Sequence, residues 1–391
     1  MIYCRRKQGE KEMIYLDNAA TSWPKPESVY DAVSDSIRRS GNPGRSNSEK
    51  ARATAAGIND ARAALASLFH ISDPTRIVFA LNATDAINLA LQGMLKPGDH
   101  VITSQMEHNA VTRPLAYLED AGVSVTKVET DPVKGVSLDG IREAIRPETR
   151  LIAMTHGSNV TGTLNPIEEI GEICRESGIP FFVDASQTAG AIPIDVVKMN
   201  IDLLAFPGHK SILGPTGTGG LYVSEKVSPR PVRSGGTGVF SEVRLQPEQL
   251  PYYYEAGTQN TVGILGLCAA AQYILERSVN NIFIEEQRMV QRLIDGLCAI
   301  PEVAVYGPLT SPRAAAVSFN IDGMDCADVA MILETYYDIS VRSGLQCAPD
   351  THRMLGTFDM GGTVRVSPGL FTTEEEIDTF LNAIREITEE A

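Results

Sequence analysis

Lys210 and Asp184 are the side chains in this 391-residue sequence whose settings point most directly to chemistry. Lys210 lies in FPGHKSILGPTGTGG (residues 206–220), just after an apolar run, 201–206, that reads as a buried strand. Two turn signals follow it, Gly214-Pro215 and the run from Gly217 to Gly220. A lysine leaving a strand end for a crevice is desolvated, which lowers its proton affinity and makes the amine nucleophilic. A solvated loop lysine would satisfy the same local pattern. Asp184 ends a second apolar stretch, IPFFVDASQTA (residues 179–189). A carboxylate there can hold the proton on a cationic ring nitrogen, and with a nearby lysine amine it forms the pair that a pyridoxal phosphate site uses.

For the two to meet, the chain must bring two strand ends to one place. Strand candidates recur at 76–80, 100–103, 124–128, 151–155, 180–183 and 202–206, with helical stretches between most of them. This alternation predicts an α/β fold with a largely parallel sheet under helices. Ligands of such sheets bind beyond the carboxyl ends of the strands, where Asp184 and Lys210 both fall. Upstream, 26–39 and 48–69 have helical period, with the loop SGNPGR between them. After Thr261 a long helical region, 262–300, is expected to cross to a smaller domain. The strands of that domain are read at 303–306, 315–320, 339–342 and 363–367. A closing helix starts at Thr373, where a Thr-Glu-Glu-Glu run puts carboxylates at a helix N-terminus. The expected division is a large domain at 13–261, with an entrance segment at 13–25, and a smaller α+β domain at 262–391. Residues 1–12 are charged, lack apolar periodicity and are read as a disordered extension.

Bulk properties narrow the function class. A hydrophobic content of 43% with 21% charged residues is ordinary for a globular chain. A net charge of −15 argues against nucleic acid or an anionic membrane surface as partner. No apolar run approaches the roughly 20 residues of a membrane span. The six cysteines, at 4, 174, 268, 298, 326 and 347, show no CxxC spacing, so reduced thiols in a cytoplasm are expected and no metal cluster is read.

Strand–Asp184-Ala185-Ser186-Gln187 followed by strand–His209-Lys210 resembles the fold-type-I pyridoxal phosphate enzymes. More narrowly, it is similar to the class-V aminotransferase family that contains the cysteine desulfurases. The resemblance runs from Tyr15 to about Phe371 and implies a large domain with a mainly parallel seven-stranded sheet. YLDNAATS, at 15–22, resembles the family's opening segment across the active-site entrance. The resemblance implies that Lys210 holds pyridoxal 5'-phosphate covalently and that Asp184 meets its pyridinium nitrogen. Gln187 would bond the phenolic oxygen, and His209, with the Ala83-Thr84 pair, would bind the phosphate. A strand-to-helix turn such as Asn82-Ala83-Thr84 suits an anion in any case, although an ordinary N-cap has the same look. His108, in MEHNA, is implied to stack on the cofactor ring and assist proton transfer; a histidine at a helix start is otherwise structural. Asn159, in HGSNVTG, would contact cofactor or substrate. Thr258, in EAGTQN, would reach the neighbouring subunit's phosphate, implying a homodimer with shared active sites; its plain role is a turn residue. Pro207 departs from the family pattern, which has a serine or threonine hydroxyl there.

Cys347 discriminates the reaction. An isolated cysteine is most often a buried, inert residue. In VRSGLQCAP (residues 341–349) it follows Gly344 in a short loop after a strand, with Arg342 near enough to favour a thiolate. The pattern resembles the desulfurase group with a short, ordered catalytic loop. Arg365, in GTVRVSP, matches the arginine that clamps a substrate carboxylate, as a planar guanidinium can do bidentately; a surface strand arginine is the plain alternative. Cys174, Cys268 and Cys298 are expected in the core. The expected activity is therefore desulfuration of L-cysteine to L-alanine through a persulfide on Cys347, with L-selenocysteine as a second substrate. A sulfur-acceptor protein or small thiol would complete the cycle. Two other readings stay open: an aminotransferase or kynureninase-like lyase with no use for Cys347, and a non-enzymatic sulfur-carrier scaffold.

Overall fold

The computed structural model describes residues 13–43 and 48–390, so the extension expected at 1–12 lies outside the described residues. The chain opens with β1 (Ile14–Tyr15), α1 (Glu27–Arg39), α2 (Glu49–Leu68), β2 (Ile77–Ala80), α3 (Ala83–Met94) and β3 (His100–Ser104). It continues through α4 (Asn109–Asp120), β4 (Ser124–Val128), a hairpin of β5 (Thr130–Asp131) and β6 (Gly135–Val136), α5 (Leu138–Ala144) and β7 (Thr149–Thr155). Then come α6 (Ile167–Ser177), β8 (Phe181–Asp184), β9 (Leu203–Pro207), β10 (Gly219–Val223), α7 (Thr261–Arg277) and α8 (Val279–Cys298). The last part holds β11 (Val303–Tyr306), β12 (Val317–Ile321), α9 (Cys326–Tyr337), β13 (Ile339–Ser340), β14 (Arg342–Gly344), α10 (Pro349–Leu355), β15 (Thr363–Val366) and α11 (Glu374–Glu390).

Seven strands form the large sheet, in the order β2-β10-β9-β8-β7-β3-β4. Strands β9, β8, β7, β3 and β4 are parallel neighbours, and β10 runs antiparallel to both β9 and β2. The run Gly217 to Gly220, expected as a turn, is therefore half strand: Gly219 and Gly220 pair with Pro207 and Phe206. Glycine is needed there for lack of room, since a Cβ on Gly219 would lie 2.8 Å from the Phe206 carbonyl oxygen.

Successive residues along the central strands serve opposite faces. Phe181, Val183, Leu204 and Phe206 pack with α2, α6 and α7 on one side. Phe182, Leu203 and Ala205 pack with α3 and α4 on the other. Burial on both faces explains why these strands read as unbroken apolar runs.

A four-stranded antiparallel sheet, β11-β12-β15-β14, forms the second layer system, and β1 pairs in parallel with β13 beside it. Val364 and Val366 of β15 point into a core shared with Val317, Phe319, α8, α11 and Leu16. Period two then turns Arg365 to the opposite face, toward the large sheet. Ser318 of β12 also faces that way, donating to the Val160 carbonyl at 2.8 Å. Gly162 marks the closeness of this contact: at φ +70°, a Cβ there would lie 2.6 Å from the Ala316 carbonyl oxygen.

The helical region expected as one crossing is two helices bent by 81° at Ser278, which has φ +71°. Leu267, Ala271 and Ile274 of α7 belong to the large-sheet core, while Val290, Leu293 and Leu297 of α8 belong to the small-sheet core. Cys298, expected in the core, is exposed because it ends α8 on the solvent side; Cys174 and Cys268 are buried as expected.

Candidate active site

Carboxyl ends of β2, β3, β7, β8 and β9 open onto one crevice, and the small sheet closes it with Arg365 and the loop after β14. A cavity of about 210 Å³ results. Ala83, Thr84, His108, Asn159, Asp184, Gln187, His209, Lys210, Arg342 and Arg365, separated by up to 282 positions in sequence, all line it. Cys347 and Thr258 are the two expected site residues that do not.

Asp184 ends β8 at 1% exposure, and both the backbone N–H and the hydroxyl of Ser186 donate to its Oδ1. Burial pushes its carboxyl up, opposed by the Ser186 hydrogen bonds and by the Lys210 charge. A cation beside it would restore the ionised form. Lys210 keeps a face open to the cavity, yet burial, helped by the Arg365 charge, pushes its amine down to about 8. His108 caps α4 by accepting the Ala110 N–H on Nδ1 at 3.0 Å, which puts its own proton on Nε2. Burial and the Lys210 charge take its proton affinity down to about 3, so the ring is neutral at working pH. His209 is likewise lowered to about 4, by burial, Lys210 and Lys25, and its buried Nδ1 has no hydrogen-bond partner among the described residues.

Arg365 is 1% exposed and forms a 2.6 Å ion pair with Asp17 through Nη2, while Nη1 donates to the Asn159 carbonyl at 3.2 Å. Its Nε is buried without a partner among the described residues. The Cys347 loop is fixed from several sides. Asn109 N–H donates to the Cys347 carbonyl at 2.8 Å, and Asn159 Nδ2 donates to the Gln346 carbonyl at 2.6 Å. Gln346 Nε2 donates to the Thr363 carbonyl at 2.7 Å, and its Oε1 meets His352 Nε2 at 2.7 Å. These contacts hold Gln346 and Cys347 at φ +41° and +60°, a left-handed conformation that non-glycine residues adopt at an energetic cost. Cys347 is exposed, and Arg342 Nη2 lies 3.7 Å from its Sγ. Thr258 is exposed on a separate groove with Arg62 and Glu255, away from its own chain's cavity.

Sequence reasoning missed Asp17, Glu107 and Gln346. Glu107 is fully buried beside His108, and its Oε1 accepts the Ser104 hydroxyl at 2.6 Å and the Thr155 N–H at 3.0 Å. Burial pushes its carboxyl up to about 8. Its position next to His108 in MEHNA was the available signal; Asp17 gave none, because its partner lies 348 residues away.

The donor set fits pyridoxal phosphate. The lining includes partners for an anion, the α3 N-terminus at Ala83-Thr84 and the Nδ1 of His209, which has no partner among the described residues. It also includes a buried carboxylate suited to a pyridinium, Asp184, together with the Lys210 amine and the His108 ring. Pro207 lines the same cavity without a hydroxyl.

Comparison with known proteins agrees with this arrangement. The family model for class-V aminotransferases matches residues 14–380, and the chain belongs to that family. A probable cysteine desulfurase of Methanothermobacter thermautotrophicus is 34% identical over 383 residues, 96% of this chain and 95% of its own. A cysteine desulfurase of Escherichia coli is 32% identical over 386 residues, 96% of this chain and 93% of its own. The apo structure of a cysteine desulfurase from Thermococcus onnurineus superposes with a TM-score of 0.87 at 31% identity, covering 97% of this chain and 95% of that one. The fold is thus the fold-type-I arrangement that the sequence resemblance implied, and the family implies pyridoxal phosphate as cofactor.

Proposed function

We propose that this protein is a pyridoxal-phosphate-dependent cysteine desulfurase that converts L-cysteine to L-alanine and holds the sulfur as a persulfide on Cys347. The observation that carries this reading is the placement of a cysteine loop, pinned by Asn109 and Asn159, at the mouth of a cavity that holds Lys210, Asp184 and Arg365.

Lys210 would hold the cofactor, with Ala83, Thr84 and His209 at its phosphate, Gln187 at its phenolic oxygen and Asp184 at its ring nitrogen. When bound, pyridoxal phosphate supplies an electron sink that acidifies the α-C–H of an attached amino acid and loosens its β-substituent. Arg365 grips the substrate carboxylate, using the buried Nε that has no partner among the described residues. Lys210, lowered to about 8, has a substantial neutral fraction at pH 7–8 and moves the α-proton. The neutral His108 ring, with its proton on Nε2, faces the same space and can donate there. Cys347 attacks the substrate sulfur. The S–S bond formed is matched by the Cβ–S bond broken, whose electron pair stays with carbon and takes up a proton, giving alanine. Arg342 Nη2, 3.7 Å from Sγ, stands beside the attacking sulfur.

The exposure of Cys347 suits hand-over of sulfur to an acceptor protein or small thiol in a reducing cytoplasm. Thr258, exposed and outside its own chain's cavity, supports a homodimer in which it reaches the partner's phosphate; a monomeric mass in solution would sink that part. L-Selenocysteine belongs to the proposal as a second substrate, and its cleavage should survive Cys347→Ala. The test is the purified holoprotein with L-cysteine and a reducing thiol, following alanine and sulfide together beside a Cys347→Ala control. Equimolar products, lost in the variant, are expected; coloured protein with neither product would overturn the reading.

A further inference from the structure

The entrance segment makes contacts to the site that its position alone does not require. Asp17 pairs with Arg365, and the Ala19 carbonyl accepts from Gln187 Nε2 at 3.2 Å. Further on, the segment converges on a single oxygen. The His209 carbonyl accepts from the Ser22 N–H at 3.0 Å, from Thr21 Oγ1 at 3.2 Å and from Lys25 Nζ at 2.8 Å. Lys25 Nζ also donates to Ser22 Oγ at 2.6 Å, and that hydroxyl in turn reaches the Lys210 carbonyl at 2.9 Å and the His209 carbonyl at 3.2 Å. With one proton to give, Ser22 serves the nearer oxygen, so a donor chain runs Lys25 to Ser22 to the Lys210 carbonyl. Bonds in such a chain polarise one another.

No carboxylate pairs with Lys25 among the described residues, so its charge is met by carbonyl and hydroxyl oxygens alone. Burial pushes its amine down to about 8, which leaves it mostly protonated at pH 7. The peptide these bonds grip has few other anchors. Lys210 lies three residues beyond the end of β9, and among the described residues its carbonyl otherwise closes a turn to the Leu213 N–H at 2.7 Å.

We propose that Lys25 is a positioning residue for Lys210, fixing the His209–Lys210 peptide through Ser22 so that the Lys210 side chain is aimed into the cavity. The proposal rests on the reading of Lys210 as the cofactor-bearing lysine, but not on which amino acid is the substrate.

The experiment uses full-length Lys25→Met and Lys25→Arg proteins. Cofactor-free protein is mixed with pyridoxal phosphate, sampled over time, reduced with borohydride and mapped by mass spectrometry. Attachment at Lys210 should slow by about tenfold or more in Lys25→Met, and Lys25→Arg, which keeps charge and donors, should recover most of it. With L-cysteine, kcat should fall by a similar factor while KM stays within about twofold, because Arg365 and Asn159 are untouched. Ser22→Ala should show the same split more weakly, about threefold. Wild-type attachment in Lys25→Met would overturn the proposal. Equal loss in Met and Arg variants with a lowered melting temperature would also overturn it, marking a role in the fold alone. Label on Lys25 itself would make Lys25 an attachment site and overturn it too. Attachment needs no substrate, so a wild type that labels Lys210 yet makes no alanine would sink the desulfurase reading and leave the Lys25 comparison readable.

Discussion

The two residues proposed to carry the reaction sit in opposite kinds of surroundings. Lys210 stands at the end of a parallel sheet buried on both faces, among carboxyls and imidazoles whose proton affinities are all displaced by burial. Cys347 stands in solvent, on a left-handed loop held by backbone carbonyls and one buried glutamine. The cavity shapes chemistry through low dielectric, where small misplacements and unpaired charges matter most. The loop shapes it through conformation, and in the proposed reaction its thiol reaches inward to substrate and outward to an acceptor. Damage to the first region should reach binding, rate and stability together. In the second it should reach sulfur transfer alone.

The contrast can be broken most forcibly at Lys210. Lys210→Ala should lower alanine formation by roughly 10³-fold or more, while equilibrium dialysis still finds non-covalent cofactor. Cys347→Ala should lower sulfide release by about 100-fold. Because Cys347 is exposed, its variant should keep wild-type cofactor absorbance and melting temperature; a fall in either would erase the distinction between the regions. Arg365→Lys should raise KM for L-cysteine about tenfold, since an ammonium cannot reproduce the planar fork, and steady-state kinetics would read it. At Glu107 the effect is expected on stability and not on turnover. Its carboxyl ionises at about 8 in the folded protein against 4.5 in its unperturbed state, so the unfolded chain gives up its proton first as pH rises. The folded protein is thereby disfavoured progressively from about pH 4.5 to 8, by on the order of 3 kcal/mol at pH 7. Glu107→Gln removes that titration. Its melting temperature should match wild type near pH 4.5 and exceed it by several degrees at pH 8.

Much of this site was legible because its residues follow strands whose apolar runs are plain. Asp184 and Lys210 fall where the rule that ligands lie beyond carboxyl strand ends puts them, whereas His209 was read from the family resemblance. Cys347 and Arg365 needed the family resemblance, because nothing local separates a reactive cysteine from an idle one or a clamp from a surface arginine. Strand β10 was obscured by its own glycines, which serve close packing against Phe206 and resemble a turn. The bend at Ser278 was hidden because α7 and α8 are both helical and differ only in which core they enter. Asp17 lay in a segment read as crossing the entrance, but neither it nor Lys25 carried a signal of its own role. Their roles depend on partners brought near by the finished fold, and polar residues in a turn-rich segment are ordinary.

The parallel pairing of β1 with β13 has a further consequence for biosynthesis. Ile14 is among the first described residues to leave the ribosome, and its partner Ile339 follows more than three hundred residues later. Leu16, buried in the small core, must wait equally long for its neighbours. The large sheet can condense as it emerges, but the entrance strap, the second core and the Asp17–Arg365 contact can only be sealed once nearly the whole chain has been made. An unfinished chain therefore has the sheet without a closed site, and the enzyme's reactive centre is among the last things its synthesis completes.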